Sequence, residues 1–263
     1  MTRIIAVAIP KGGTGKTTTT INLGAALVER GQRVLLVDFD PSGALTQALG
    51  VHADGQTIYS AIAAYLNTYE PQLDQVIQQT GAGVDVVPAD ARLNLANGQL
   101  VAVQRGEYVL RNLLLPVAAR YDIILIDTLP YLGILVDNAL TAAQEIILPL
   151  QTEFLATLSV DLMIDHVAIL RRSDPTASLR ITGILLTHAD RTVMSRQVAA
   201  YTRDELTAGR AVEAPVFKAV IRRSVRFAEA QAMGKTILEY DPQGDAAQSY
   251  RALAQEVLDA APR

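Results

Sequence analysis

Short apolar runs alternate along the chain with longer segments in which apolar residues recur at helical spacing. Several of the short runs contain no polar residue, as is typical of parallel strands that are buried on both faces. They predict strands at Ile4–Ile9, Val34–Val37, Val84–Val87, Ile123–Ile126, Ile146–Leu150, Ile181–Leu186 and Val216–Phe217. The longer segments predict helices at Thr17–Arg30, Arg105–Arg120, Leu155–Arg171, Ser195–Thr207 and Ala246–Ala260.

Strands that alternate with helices predict an α/β fold, a doubly wound, mostly parallel sheet with helices on both faces. The chain has 263 residues, a length that suits one large α/β domain, and no repeat or linker divides it. We therefore expect residues 1–263 to form a single domain. The segment 51–83 fits the alternation least, and we expect it to form a peripheral helical excursion.

A glycine-rich loop joins the first predicted strand to the first predicted helix, with the sequence Lys-Gly-Gly-Thr-Gly-Lys-Thr-Thr over residues 11–18. Its glycines let backbone N–H groups turn toward phosphate oxygens, and the start of the helix adds its positive dipole. Lys16 supplies a point charge, and Thr17 offers a hydroxyl to Mg²⁺. These features predict a P-loop nucleotide site formed by Lys11, Gly12, Gly13, Thr14, Gly15, Lys16, Thr17 and Thr18.

The loop departs from the strict P-loop pattern at its start. That pattern has a glycine where this chain has Pro10, which lacks an N–H group and has a fixed φ. Lys11 follows, and it has little reason to fold back onto phosphates that Lys16 already holds. The Lys11 ammonium could instead reach phosphates that are bound by a second subunit.

Three aspartates follow apolar strands. Asp38 and Asp40 come directly after one predicted strand, and Asp127 ends another. Open α/β sheets bind ligands at the carboxyl ends of their strands, so these carboxylates could address the Mg²⁺-triphosphate. The alternative for the first pair is a solvated loop with Asp-Pro turn chemistry, and the neighbouring P-loop makes the nucleotide site the favoured interpretation.

The charge of the chain is uneven. It carries 23 basic and 27 acidic residues overall, yet residues 180–226 hold nine basic and four acidic ones. Such a cluster favours phosphate backbones, because each neutralised phosphate releases counterions. It would also fit solvated faces or ion pairs with Asp190, Asp204 and Glu205. The basic residues closest together are Arg191, Arg196, Arg203, Arg210, Lys218, Arg222, Arg223 and Arg226.

The composition narrows the function further. The chain contains no cysteine, which excludes disulfides, thiolate metal sites and cysteine nucleophiles. Its longest apolar runs fall far below the roughly 18 to 20 residues that a membrane-spanning helix needs. We expect a cytoplasmic protein that does not bind a membrane.

The loop and several later segments resemble the deviant Walker A ATPases of the ParA/MinD family, whose loop reads Lys-Gly-Gly-x-Gly-Lys-Thr. The second motif of that family is similar to Val34–Gly43, and its Walker B strand and following switch are similar to Tyr121–Pro130. The resemblance continues through Pro149–Leu155, Ile184–Thr187 and Val216–Ala230, the last two of which match the partition branch. Nearly the whole chain is covered except for residues 51–83.

This resemblance implies a ParA-like ATPase for DNA or plasmid partition, with ATP and Mg²⁺ as cofactors. It implies that Asp40 orients the attacking water and that Asp38 and Asp127 support Mg²⁺ through water, beside Thr17. Lys11 and Lys16 complete the catalytic set. Two departures from the family, Ser42 in place of Gln and Leu129 in place of Pro, leave these charges intact, so we expect slow hydrolysis to be retained.

The resemblance also implies partners. The ATP-bound form is expected to be a homodimer that binds double-stranded DNA without sequence preference and lies on the nucleoid. A ParB-like or other cargo-adaptor protein would stimulate hydrolysis. Family members use arginines at the positions of Arg191 and Arg226 for DNA, and Arg222 and Arg223 extend that set.

Other functions share this nucleotide chemistry. A positioning ATPase for a protein cargo has every motif named above. A MinD-like membrane-cycling regulator needs a basic amphipathic tail, which Glu256–Arg263 does not offer. A metabolic ATP-dependent ligase needs a substrate pocket that the sequence does not reveal.

Overall fold

The computed structural model describes residues 2–153, 156–174, 179–204 and 215–260. Outside these ranges lie Arg210 and Glu205 of the basic segment, Phe154, and the predicted helix limits Leu155 and Thr207. Within them, a single sheet contains the strands β1 (Arg3–Val7), β2 (Val34–Phe39), β3 (Gln78–Gln79), β4 (Asp85–Val87), β5 (Ile123–Thr128), β6 (Glu145–Gln151), β7 (Arg180–Ala189) and β8 (Val216–Arg222).

The helices of the described residues connect these strands. They are α1 (Lys16–Val28), α2 (Ala44–Ala48), α3 (Ile58–Thr68), α4 (Leu93–Ala102), α5 (Val109–Ala118), α6 (Ile134–Ala142), α7 (Thr157–Ser173), α8 (Val193–Asp204), α9 (Arg226–Ala232), α10 (Ile237–Tyr240) and α11 (Asp245–Asp259). Short 3₁₀ helices occur at Leu73–Val76 and Gly106–Tyr108. None of the described helices is long and apolar enough to cross a bilayer.

The sheet has the strand order β3-β4-β2-β5-β1-β6-β7-β8. Every neighbouring pair is parallel except β3 and β4, which are antiparallel. The central strands β2, β5, β1 and β6 come from distant parts of the chain, as parallel pairing with helical crossovers requires. The predicted doubly wound, mostly parallel α/β fold is thereby confirmed.

Apolar side chains bury both faces of the sheet. Along β1, Ile4 and Ala6 point into one core cluster, whereas Ile5 between them points into the cluster on the other side. β5 repeats this alternation, since Ile124 and Ile126 face one cluster and Leu125 faces the other. Strands with two buried faces need uninterrupted apolar runs, which explains why the sequence predicts them well.

Some elements differ from the sequence-based predictions. The helix predicted at Arg105–Arg120 begins only at Val109, because Arg105 has a left-handed backbone with φ of 58° and a 3₁₀ turn follows it. The helix α6 was not predicted. Most of its residues are buried, so it lacks the polar face that gives a surface helix its periodic signal.

The segment 51–83 contributes to the core and to the sheet. Its helix α3 buries Ile58 and Ile62 completely in the core cluster on one face of the sheet. Its strand β3 then pairs with β4 and forms one edge of the sheet. Two-residue strands with polar side chains, such as Gln78–Gln79, carry no periodic signal in the sequence.

The helix α11 packs beside β8 at the opposite edge of the sheet and buries Tyr250, Leu253 and Val257, as its sequence spacing predicts. Its Glu256 carboxylate accepts the backbone N–H groups of Lys218 and Ala219, both at 2.7 Å. Edge strands expose unpaired N–H groups, and this carboxylate satisfies two of them on β8. The helix is therefore fixed against a strand that belongs to the basic segment, residues 180–226.

Candidate nucleotide site and basic groove

The glycine-rich loop curls between β1 and α1 as the sequence predicts. Gly13 and Gly15 have left-handed backbones, with φ of 73° and 84°, which glycine adopts without a steric cost. Two side chains from neighbouring strands support the loop from outside. The Gln151 amide donates to the carbonyl of Gly13 at 2.6 Å, and the Thr187 hydroxyl donates to the carbonyl of Thr14 at 2.9 Å.

Lys16 lies inside this curl. Its side chain is nearly buried, at 7% exposure, and its ammonium donates to the carbonyl oxygens of Lys11 at 2.8 Å and Ile9 at 3.4 Å. Burial lowers the pKa of Lys16, and the charges of Asp127 and Asp40 oppose that effect. The positive charge of Lys16 therefore lies inside the loop, where an anion such as a phosphate can bind.

Asp38 and Asp127 lie side by side because they are register partners at the carboxyl ends of β2 and β5. Both are fully buried. The Thr17 hydroxyl donates to Asp127 at 2.7 Å, which connects the start of α1 to this carboxylate. The Asp38 carboxylate accepts hydrogen bonds from the hydroxyl and the backbone N–H of Thr46, at 2.6 Å and 2.9 Å.

Burial raises the pKa of both carboxyls. The pKa of Asp38 rises to about 6, and that of Asp127 rises to about 8 because the Asp38 charge adds to the effect of burial. A cation that neutralises two adjacent buried carboxylates removes the free-energy cost of burying both negative charges. The pair beside the Thr17 hydroxyl therefore fits a divalent metal ion.

The donor groups of Thr17, Asp38 and Asp127 are of the kind that Mg²⁺ takes. No cluster of three or more histidine, cysteine, aspartate or glutamate side chains that could hold a metal is found among the described residues. Mg²⁺ keeps several waters and takes one or two carboxylates together with phosphate oxygens. Thr17, Asp38 and Asp127 supply that kind of partial ligand set.

Asp40 lies at the same end of the sheet. It is partly buried, accepts the backbone N–H of Ser42 at 2.8 Å, and contributes to the electrostatic field at Lys16. That contact uses only the backbone of Ser42, so it does not depend on the side chain at position 42. The Asp40 carboxylate is therefore held beside the phosphate loop.

Lys11 turns away from the inside of the loop. Its ammonium pairs with the Glu153 carboxylate at 3.2 Å, at a site where both side chains are accessible to solvent. Glu153, like Thr46, was not predicted as part of the site. Both contacts join residues from different elements, and neither produces a local sequence pattern.

A small cavity of about 260 Å³ adjoins the phosphate loop at Gly15 and Thr18. His188 lines it from the end of β7, where its backbone is left-handed with φ of 50°. Burial lowers the pKa of His188, and the charge of Arg223 lowers it further. The remaining lining residues are Thr187, Ile221, Arg222, Arg223, Ser224, Phe227, Ala228, Gln231 and Tyr250.

A larger open groove of about 1070 Å³ lies next to this cavity. It contains all four arginines that the sequence singles out for DNA, namely Arg191, Arg222, Arg223 and Arg226. The groove also contains acidic groups, and Arg226 pairs with Asp241 at 3.3 Å. Chain segments that are separated in sequence are thus joined into one basic surface, the basic groove.

The fold and the loop together define a P-loop nucleotide-binding protein with a variant loop. A family model described as an AAA domain matches residues 2–203. The sporulation initiation inhibitor protein Soj of Bacillus subtilis is 39% identical to this chain, over 98% of each protein. The chromosome partitioning protein ParA of Caulobacter vibrioides is 38% identical, over 97% of this chain and 94% of its own.

A solved structure with another named function also matches this chain. The cobyrinic acid a,c-diamide synthase from Mycobacterium smegmatis, with bound ADP and magnesium, matches with a TM-score of 0.82 at 34% identity, over 98% of this chain and 94% of that one. The chain therefore belongs to the ParA/MinD family of P-loop ATPases. The family resemblance inferred from the sequence motifs is confirmed.

Proposed function

We propose that the chain is a partition ATPase that binds Mg²⁺ and ATP at the phosphate loop and uses ATP to control its attachment to DNA. The observation that carries this proposal is the position of the basic groove. Four arginines line a groove that shares part of its wall with the cavity beside the phosphate loop. The similarity to partition proteins over nearly the whole chain adds to this argument.

In this proposal the loop and α1 bind the nucleotide. The backbone of residues 12–15 and the Lys16 ammonium hold the phosphates, while Thr17, Asp38 and Asp127 hold Mg²⁺. When bound, Mg²⁺ neutralises charge on the phosphates. The nucleobase lies in the cavity lined by His188, since that cavity adjoins Gly15 and Thr18.

The residues around the phosphates also provide the chemistry. Asp40 orients the attacking water and takes its proton, and Lys16 stabilises the negative charge that develops on the transferred phosphoryl group. Lys11 acts on the nucleotide of a second protomer, because its ammonium is directed out of its own loop and toward Glu153 at the surface. Catalysis therefore depends on dimer formation, and we expect hydrolysis to be slow without a stimulating partner.

Dimer formation also explains how ATP controls DNA binding. One basic groove offers four arginines, of which Arg226 already pairs with Asp241. Two grooves that are joined by ATP contact twice as many phosphates and bind far more tightly than one, because the second contact is intramolecular. Hydrolysis separates the protomers and releases the DNA. The protein then acts on the nucleoid in the cytoplasm, with a ParB-like or other cargo adaptor as the stimulating partner.

Other functions are compatible with the nucleotide site alone. A positioning ATPase would use the same DNA contacts and differ only in its cargo. A membrane-cycling regulator or an ATP-dependent synthase would bind ATP without binding DNA. Duplex binding therefore separates partition and positioning from the latter two.

Reversal of one charge in the groove tests the proposal. We expect Arg226→Glu to keep ATP binding and ATP-dependent dimer formation, while affinity for a random-sequence duplex falls by at least 10-fold, about 1.4 kcal/mol. Arg111→Glu is the matched control, since Arg111 is exposed on α5 and makes the same charge change away from the groove. Equal DNA affinity for the two variants in ATP would refute the assignment of the groove.

A further inference from the structure

The basic groove and the cavity beside the phosphate loop share one wall. Arg222, Arg223 and Ser224, at the end of β8 and just beyond it, line both spaces. On one side of this wall the cavity reaches Gly15 and Thr18, and on the other side the groove reaches Arg191 and the start of α11. Any movement of a wall side chain therefore changes both spaces together.

The backbone of this wall is fixed, whereas its arginine side chains are exposed. The Arg223 N–H donates to the carbonyl of Ala189 at 3.1 Å and so joins the end of β8 to the end of β7. The preceding residue, His188, holds a left-handed backbone that is unfavourable outside glycine and persists only where its surroundings enforce it. A change at the wall consequently involves the side chains, and Arg223 is exposed and able to turn.

The charge of Arg223 reaches groups on both sides of the wall. Burial lowers the pKa of His188 in the cavity, and Arg223 adds to that effect. On the groove side, hydrogen bonds from Thr192 lower the pKa of Asp190, and Arg223 again contributes. The guanidinium thus lies close enough to both spaces to interact with either one.

We infer that Arg223 couples the two spaces within a single protomer, so that a nucleobase in the cavity directs its guanidinium into the groove and raises the affinity of the groove for a phosphate backbone. This inference rests on the proposed function. It adds a step that precedes dimer formation, because the cavity and the groove belong to the same chain. By thermodynamic linkage, DNA in the groove must tighten nucleotide binding by the same factor.

ADP tests this coupling without the ATP-bound dimer. The affinity of a fluorescent ADP analogue is measured with and without a 12-base-pair duplex at low salt, and mass photometry verifies that the protein is monomeric. For the wild-type protein we expect the duplex to tighten ADP binding by about 5-fold or more, the lower end of typical coupling between sites. ADP should tighten duplex binding by the same factor.

Two arginine variants separate coupling from simple DNA contact. Arg223→Gln should weaken duplex binding and reduce the coupling factor to about one. Arg191→Gln, which lines the groove but not the cavity, should weaken duplex binding and keep the wild-type factor. Two results would overturn this inference and leave the proposed function intact. One is a coupling factor in Arg223→Gln equal to that of the wild-type protein. The other is a coupling factor of one or below in a wild-type protein that still binds DNA. No duplex binding with any nucleotide would overturn the proposed function, and the coupling with it.

Discussion

Asp40 carries the chemical step of the proposed cycle. It lies at the carboxyl end of β2 and keeps its carboxylate beside Lys16, where the phosphates are expected. Its own contact is with the backbone N–H of Ser42, so the side chain does not support another element of the fold. Removal of this carboxylate should therefore affect catalysis far more than stability or binding.

We expect Asp40→Ala to bind ATP and to dimerise with nearly wild-type affinity, while its hydrolysis rate falls by about 100-fold or more, as is typical when a general base is lost. Phosphate release at saturating ATP measures the rate, and a fluorescent nucleotide measures binding. Asp54→Ala, an exposed turn residue, serves as the control. A hydrolysis rate equal to that of the control would exclude Asp40 from the chemistry.

Site residues that follow a strand could be predicted from the sequence, whereas residues that reach the site only through tertiary packing could not. Asp38 and Asp127 could be paired from the sequence because parallel strands end at one edge of the sheet. Thr46 and Glu153 could not, since they meet Asp38 and Lys11 only after separate elements have packed together. Their hydroxyl and carboxylate are common on protein surfaces and indicate nothing on their own.

At the level of elements, a buried charge cluster joins the sheet to α11. Glu145 at the start of β6 is 1% exposed and accepts hydrogen bonds from Arg3, Arg180 and Thr182. The same two arginines donate to the carbonyls of Val257 and Ala260 at the end of α11, at 2.8 Å and 2.7 Å. Glu145 therefore orients the two cations that hold this helix.

Glu145→Gln should lower the free energy of unfolding by about 1.5 kcal/mol at pH 7, because the partly accessible Arg3 and Arg180 lose the negative charge of their buried hydrogen-bond partner. Urea unfolding followed by circular dichroism measures this change. Glu70→Gln, in an exposed loop, is the matched control and should change little. A loss of less than about 0.5 kcal/mol would mean that the cluster does not fix α11.

The loss of stability in Glu145→Gln should depend on pH. Burial by itself would raise the pKa of Glu145, but the hydrogen bonds and charges of Arg3 and Arg180, with Thr182, outweigh it and lower the pKa below 4.5. A carboxyl whose pKa is lower in the folded state than in the unfolded state stabilises the protein at a pH above the unfolded-state pKa. This stabilisation is lost as the pH falls through the folded-state pKa. The difference in the free energy of unfolding between the wild type and Glu145→Gln should therefore be largest at pH 7 and decrease as the pH falls below 4.5.

Elements with strong periodic signals could be predicted, and those without such signals could not. The central strands were predicted because both of their faces are apolar, and α11 because one face alone is buried. The helix α6 was not predicted because most of its residues are buried, and β3 was not predicted because it is short and polar. In both cases tertiary packing, not local sequence preference, determines the structure.

At the scale of the whole molecule, the topology brings the two proposed activities together. The strands that lead into the phosphate loop and carry its aspartates, β1, β2 and β5, occupy the centre of the sheet, while β7 and β8 toward one edge carry the basic groove. Sequence counts of charge predicted a basic segment, but only the fold shows that its arginines at both ends, Arg191 and Arg226, share one groove. The sequence did not predict that this groove adjoins the cavity beside the loop.

If ATP joins two basic grooves on one DNA molecule, the salt dependence of DNA binding should differ between the ATP-bound and ADP-bound states. The slope of log affinity against log salt concentration reports the number of phosphates neutralised, at about 0.9 per phosphate. We predict that the slope for a random-sequence duplex with ATP and Mg²⁺ is about twice the slope with ADP. Equal slopes in the two states would rule out the joining of two grooves by ATP, because DNA would then contact the same number of arginines whether or not ATP is bound.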